Sequence, residues 1–356
     1  MYFCKNWEKT KKRFEAFWHG DYLDRAIMRI ETPRDGSNYK PPVPNAGELE
    51  CFYTDPNWMI ERNVQRFENT YYTGDGYASI WIRFATGGHC CYAKGSKIEY
   101  TDRTVWVHPS IYDWEADFIE FDKNSPLLKQ HEHLLSCLCA EAKGRYMVGN
   151  YDHCGNLDAL ASLRGSSELL MDFLTEPDRV KEGIRKIQEM QKYSMKRFWD
   201  IQLPSNGGTV NAWMGTFCEQ RHIQVQCDLS VMISREIFEE FALPDLEFYN
   251  DWPGKSIYHL DGQEQLRHLD MILSVKGLDG IQWTPVDGQP RTSHFLPELK
   301  RIQAAGKLLV VFPYPEEVEL LSRELSHKGL FMKILGVRNQ AEADHLLKIV
   351  EQNAHT

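Results

Sequence analysis

Apolar positions change rhythm along this chain. From about residue 145 onward, short β-rich runs alternate with segments of helical period, the runs covering residues 145–151, 222–227, 256–260, 278–283, 308–312 and 330–335. Between them, residues 177–199 place Val180, Ile184, Ile187 and Met190 at spacings of three and four. That predicts an amphipathic helix with Thr175 as N-cap and Pro177 in the first turn. Residues 340–351 predict another, opened by Asn339 and Glu342 in capping-box spacing, with Ala343, Leu346, Leu347 and Val350 on one side.

Strands that are each followed by a helix pair in parallel, because a parallel neighbour needs a crossover and the helix is that crossover. The fold class expected is α/β. The simplest closed solution is an eight-stranded (β/α)8 TIM barrel, with its first two strands at 78–84 and within 99–120. An open doubly wound sheet competes, but no G-x-G-x-x-G loop follows an early strand. The first 75 residues differ in texture: Pro33, Pro41, Pro42, Pro44 and Pro56 break them, and RDGSNYKPPVPN at 34–45 reads as loop. Residues 1–75 are therefore expected to be an N-terminal extension packed on the barrel, a lid over one mouth or a contact in a homodimer, with residues 76–356 as the barrel. Alternation through Ile98, Tyr100, Thr104, Trp106 and His108 predicts a β-hairpin insertion at 97–108.

Charge and cysteine usage narrow the classes of partner. Lys plus Arg is 41 against 51 for Asp plus Glu, a net charge of −10 without a dense basic block, which argues against nucleic acid. Nine cysteines without C-x-x-C spacing fit a reduced, cytoplasmic protein. The first 18 residues carry too many charges for the core of a signal peptide, and no apolar run of about 18 residues is present to span a membrane.

In a β/α barrel, reactive groups project from the C-terminal ends of the strands. Those positions hold Asp152-His153-Cys154-Gly155-Asn156, Cys227-Asp228, His259-Leu260-Asp261, Gln282-Trp283, Pro313-Tyr314 and Gly336-Val337-Arg338. His259 and Asp261 are two apart, so a strand turns both to one face, where an imidazole nitrogen and a carboxylate oxygen suit zinc or a similar divalent ion. A third ligand is open between Cys227 and Asp228, or His153 and Cys154. Adjacent strand residues point oppositely, so Cys227 and Asp228 share a face only if the strand has ended. A hydrogen-bonded pair without metal is the plainer alternative for His259 and Asp261. The same caution applies to His131, His133, Cys137 and Cys139, where a helix core is expected, and to His89-Cys90-Cys91 after Gly87-Gly88, where a buried turn is expected. Trp283 and Trp106 are expected to wall a substrate pocket with His153 and Asn156, while Arg29, Arg291 and Arg338 are candidates to meet an anion.

The runs YDHCGNLDALASLRGSSELLMDFLTEPDRV at 151–180, QCDLSVMISREIFEEFALPDLE at 226–247 and YHLDGQEQLRHLDMILSVKGLDGIQWTPVDGQP at 258–290 resemble the uroporphyrinogen decarboxylase-like superfamily. The resemblance extends over about residues 20–352, and the phrase holding Ser234, Phe238, Phe241 and Pro244 carries it best. It implies a β/α barrel and an activity among decarboxylases and corrinoid-linked methyltransferases. The zinc methyltransferases of that grouping share H-x-C after the fifth strand and a further Cys after the eighth. Here the first reads His259-Leu260-Asp261, and Leu335-Gly336-Val337-Arg338 holds no Cys, which argues against thiol methylation at a thiolate-rich zinc. The arginine-rich N-terminal signature and the terminal Gly-His-Gly of the porphyrinogen decarboxylases are also missing.

The expected activity is then removal of a methyl group from a small O- or N-methyl compound and its delivery to cobalamin carried by a partner corrinoid protein. His259, Asp261 and Cys227 or Asp228 would hold zinc or another divalent metal; without metal, Asp228 or Asp261 would donate the proton. The alternatives are a decarboxylase or lyase for a small non-porphyrin carboxylated substrate, and a non-catalytic ligand-binding barrel.

Overall fold

The structure, a computed structural model, describes residues 3, 4 and 6–356. Its strands are, in chain order, β1 (Ile27–Pro33), β2 (Thr70–Gly74), β3 (Ser79–Ile82), β4 (Lys97–Tyr100), β5 (Val105–His108), β6 (Met147–Tyr151), β7 (Thr209–Asn211), β8 (Thr216–Cys218), β9 (His222–Gln226), β10 (Lys255–Asp261), β11 (Gly280–Thr284), β12 (Leu308–Val311) and β13 (Leu330–Ile334). The six β-rich runs after residue 145 are thus β6 and β9 to β13. Strands β9 to β13 pair in parallel in sequence order, β1 joins beside β13, and β2 adds antiparallel to the outer side of β1. No reversal of strand order occurs along this sheet, so it lacks the switch point of a doubly wound fold.

The expected TIM barrel is not closed by hydrogen bonds. Strands β3 and β6 form a separate parallel pair, and among the described residues no ladder joins β1 to β3 or β6 to β9. Side chains bridge the two seams instead: Arg29 Nη2 donates to the Tyr77 carbonyl at 2.9 Å, and Asn150 Nδ2 to the His222 carbonyl at 3.4 Å. The architecture is a mixed α/β fold around a mostly parallel sheet.

Two boundaries differ from expectation. Strand β1 lies within the supposed extension, yet Ile27, Met28 and Ile30 are fully buried and pair with β13, as an enclosed parallel strand requires. A division at residue 75 therefore cuts β1 and β2 from their own sheet. Residues 99–120 supply no strand of that sheet; the hairpin β4–β5 occupies 97–108 as the alternation predicts, and irregular chain follows. The long helix is Pro177–Asn206, and Thr175 does not cap it, because it ends the preceding helix and gives its hydroxyl to the Met171 carbonyl. Asn339 does cap Gln340–Gln352, accepting from the Glu342 amide at 2.9 Å, while the Glu342 carboxylate turns back to Arg338 rather than completing the box.

Alternation along the strands sorts their side chains into two clusters. Ile27, Ile257, Leu308, Val310 and Phe331 meet Phe14, Phe17 and Trp18 of the helix Trp7–Trp18 in an inner cluster that also takes Met147 of β6. Both ladders therefore share one interior, which the first helix plugs. The intervening Met28, Tyr258, Leu309 and Met332 join the larger cluster formed with the helices. Each fully buried phenylalanine of the plug contributes about 1.5–3 kcal/mol. By the same parity, Arg29, Gln224, Gln226, His259, Asp261, Gln282 and Lys333 belong to the inner face, so this face is apolar at one end and polar toward the strand C-termini. All nine cysteines are free, and among the described residues no helix is long and apolar enough to cross a membrane.

Candidate active site

Strand β10 presents His259 and Asp261 on one face, with His259 Nε2 3.8 Å from Asp261 Oδ1. The chain leaves β9 at Cys227 and enters a short helical turn, Asp228–Met232, which returns Asp228 to the same place. One potential ligand atom from each of Asp228, His259 and Asp261 lies within 4.8 Å of the others. Cys227, one of the four residues offered to complete the set, does not. Gln226 takes the inward position, so Cys227 turns outward and is buried in the larger apolar cluster.

The supporting groups fix how these side chains can act. His259 Nδ1 contacts Gln282 Oε1 of β11, and Gln282 Nε2 donates to the Trp283 carbonyl at 2.9 Å and to Thr284 Oγ1. A carbonyl only accepts, so the Gln282 amide oxygen must face the imidazole. Nδ1 then carries the proton, and the Nε2 lone pair is left toward Asp261. Asp228 is held by Gln226 Nε2 at 2.8 Å; Gln226 Oε1 in turn accepts from Gln224 Nε2, and Gln224 Oε1 from Asn211 Nδ2. Asp158, in the first turn of the helix Asn156–Arg164, accepts from the Asp228 and Leu229 amides at 2.9 Å each and so pins the turn. Gly155 makes room for it: a Cβ there would lie 2.4 Å from Asp158 Oδ2, and its φ of +71° favours glycine independently.

These carboxylates crowd one another. Asp228 is open to the cavity yet enclosed on most sides by protein; desolvation first, then Asp158 and Asp261, raise its pKa to about 8. Burial also raises Asp158, against which its two backbone donors act, so the proton of this pair rests on Asp228. Burial lowers His259 and keeps it neutral. One imidazole nitrogen and two carboxylates are an acceptable donor set for zinc or a similar divalent ion, and a cation would neutralise the charge that otherwise forces a proton onto Asp228. The residues present thus fit the metal. Replacing Gln282 by leucine leaves the Nδ1 proton without its acceptor, and zinc affinity is expected to fall about 10–100-fold in competition with a chromophoric chelator; unchanged affinity would exclude this orienting role.

A cavity of about 340 Å³ opens beside the cluster, lined by His259 and Asp228 together with Trp81, Arg83, Asp152, Trp213 and the hairpin turn at Arg103 and Thr104. Trp213 packs edge-on against His259 with ring centroids 4.9 Å apart. Asp152 receives the Trp81 indole N–H on Oδ2 at 2.7 Å, and burial raises its pKa to about 7 despite that bond. Sequence reasoning placed Asp152 at a strand end without singling it out, and missed Trp81 and Arg83 although both lie in the 78–84 segment. The rule that strand ends carry chemistry applies to β3 as well and would have found them.

Cys154 lines this cavity with its thiol donating to Gln226 Oε1 at 3.1 Å, and the remaining candidates lie elsewhere. Trp283 is fully buried against Phe295, because Gln282 takes the inward position. Trp106 is exposed on β5. His153 stacks on Tyr151 behind the cavity, and Asn156 joins His89, Asp245 and Tyr249 in a buried network. Arg338 is exposed and paired with Glu342, and Arg291 lies over Tyr314. His131 stacks on Tyr151 while His133 reaches Cys137 on the same helix. Arg29 alone of the three arginines faces the interior, beside Glu31.

No protein-family model matches the chain, and no curated protein matches it in sequence. Among solved structures it is similar to a methyltransferase from Methanosarcina mazei, with a TM-score of 0.61 over 96% of this chain and 98% of that one. The two are 13% identical, so the likeness establishes a shared fold.

Proposed function

We propose that this protein is a metal-assisted methyltransferase that takes a methyl group from a small O- or N-methyl compound and passes it to a corrinoid carried by a partner protein. The observation that carries this reading is the convergence of Asp228, His259 and Asp261 at the strand ends, beside a third carboxyl, Asp152, that holds its proton to about neutral pH. The fold shared with a protein described as a methyltransferase supports it.

A methyl ether or amine reacts slowly because its heteroatom leaves badly as an anion. A divalent cation held by His259 Nε2 and the two carboxylates would supply Lewis acidity to that heteroatom. Gln282 keeps His259 in the tautomer this requires, and the amide chain from Asn211 holds Asp228 in place. As the methyl carbon departs to its acceptor, the heteroatom keeps the bonding electron pair and takes the proton of Asp152. Trp81 fixes Asp152 through one oxygen and leaves the other to carry that proton. Trp213 narrows the cavity at His259.

Incubating the purified, zinc-loaded protein with a reduced corrinoid protein and a panel of methyl ethers and methylamines tests the reading. Substrate-dependent change in the cobalt spectrum, with about one zinc per chain, is expected. No change with any substrate, or no stoichiometric metal, would overturn it. A decarboxylase or lyase is the second reading, favoured by the cationic side chains near the cavity; release of carbon dioxide from a carboxylated substrate without a corrinoid would select it.

A further inference from the structure

A second lobe of about 340 Å³ adjoins the first, and Trp81 and Arg83 line both. Arg29, Arg62, Arg66, Arg83 and Lys333 face this lobe, and Glu31 is the one carboxylate among its lining residues. The protein uses most of these cations internally. Arg29 Nε donates to Glu31 at 2.7 Å, Arg66 Nη2 to the Ser79 carbonyl at 2.8 Å, Arg83 Nη2 to the Arg103 carbonyl at 2.7 Å, and Lys333 Nζ to the Trp213 carbonyl. Carbonyl oxygens satisfy hydrogen bonds without cancelling charge, so the lobe keeps a cationic excess.

Arg62 is different. It lies one helical turn from Arg66 on Pro56–Glu68, and its guanidinium is stacked on Phe52 at 3.6 Å. Its Nη1 is buried without a hydrogen-bond partner. A buried guanidinium nitrogen without an acceptor costs roughly 1–3 kcal/mol or more, and among the described residues the half-buried Arg62 guanidinium makes neither a hydrogen bond nor an ion pair, so its side toward the lobe is free to take an acceptor supplied from outside. The mutual repulsion is visible in the neighbours too: burial, with Arg29 and Arg66 nearby, lowers Lys333 to about 8. Tyr39, Pro41, Phe52 and Trp81 add flat apolar walls.

We propose that this lobe is an anion-binding subsite that takes the carboxylate, or an equivalent oxyanion, of a flat methylated substrate whose methyl end reaches the adjoining cavity. The inference rests on the methyl-transfer reading for the placement of the methyl end, while the anion site itself stands on Arg62 and the cationic lining. The N-terminal segment, which supplies Arg62, Arg66 and Tyr39, would then select the substrate.

Calorimetric titration of the whole protein with benzoate, 4-methoxybenzoate, anisole and inorganic phosphate at low chloride tests it. Both carboxylates are expected to bind, anisole at least about tenfold more weakly, and phosphate to compete with benzoate. Arg62→Gln is expected to weaken both carboxylates about 10–100-fold, the loss of a charge-assisted hydrogen bond, and to leave anisole unchanged. If that variant does not fold, crystals of the unaltered protein soaked in 4-bromobenzoate give the same answer, with anomalous bromine signal expected beside Arg62. Absence of carboxylate binding, equal binding by a folded Arg62→Gln protein, or bromine located only elsewhere would overturn the subsite. The two readings fail separately: Arg62-dependent benzoate binding by the unaltered protein, if that protein neither takes up zinc nor transfers methyl groups, leaves the subsite standing and removes the methyltransferase.

Discussion

Replacing His259 by alanine is expected to abolish stoichiometric zinc uptake and to lower methyl transfer about a thousandfold or more, while the fold and thermal transition stay close to those of the unaltered protein. The expectation follows from the site's economy of donors. His259 is its one imidazole, Nδ1 is committed to Gln282, and the two carboxylates that remain already repel one another. A Lewis acid contributes several kcal/mol to the transition state, and each 1.4 kcal/mol is a factor of ten in rate. Zinc binding should also depend on pH with a definite sign. Asp228 holds a proton up to about pH 8 in the metal-free protein, and a cation must displace it. Apparent affinity is therefore expected to rise about tenfold per unit from pH 6 to 8 and then to level, with one proton released per zinc on the acidic side. Burial lowers His259, which favours its neutral, ligating form. Competition titrations at several pH values check both claims, and an affinity independent of pH would remove Asp228 from the ligand set.

The pairing of His259 with Asp261 was legible in the sequence because a strand has period two, and the same parity decides several less obvious outcomes. It turns Trp283 outward once Gln282 faces in, and Cys227 outward once Gln226 does, so the residues that looked most like a pocket wall and a metal ligand become core. Nothing local marks which of two neighbours faces the interior. That choice is set by how β9 and β11 pair with β10 and β12, a long-range pairing that a single sequence does not contain. The six later strands announced themselves through the helices between them. Strand β1 did not, because it is followed by loops, short helices and an antiparallel partner rather than by one crossover helix. Missing it hid Glu31 and left Arg29 one of three scattered anion-binding candidates, without the inward setting that makes it part of the cationic lobe.

Asp152→Asn is the substitution expected to isolate proton transfer from metal binding. Asparagine keeps an oxygen to accept from the Trp81 indole but cannot deliver a proton, so kcat should fall about a thousandfold, within the 100- to 10,000-fold range of a positioned general acid, with zinc still bound. With zinc saturating, the unaltered enzyme should lose activity about tenfold per unit above pH 7, where burial places the pKa of Asp152 and its acid form disappears. The variant's residual rate should lack that limb. Stability should move the opposite way. The raised pKa means that folding favours protonated Asp152; its contribution is full below the unfolded value near 4 and is lost as pH rises to about 7. Asparagine never ionises, so the variant is expected to match the unaltered protein in acid and to have the higher Tm at pH 8. A variant that is less active and also less stable at pH 8 would mark Asp152 as a structural residue. A variant more stable there, zinc-loaded and a thousandfold slower would assign it the proton.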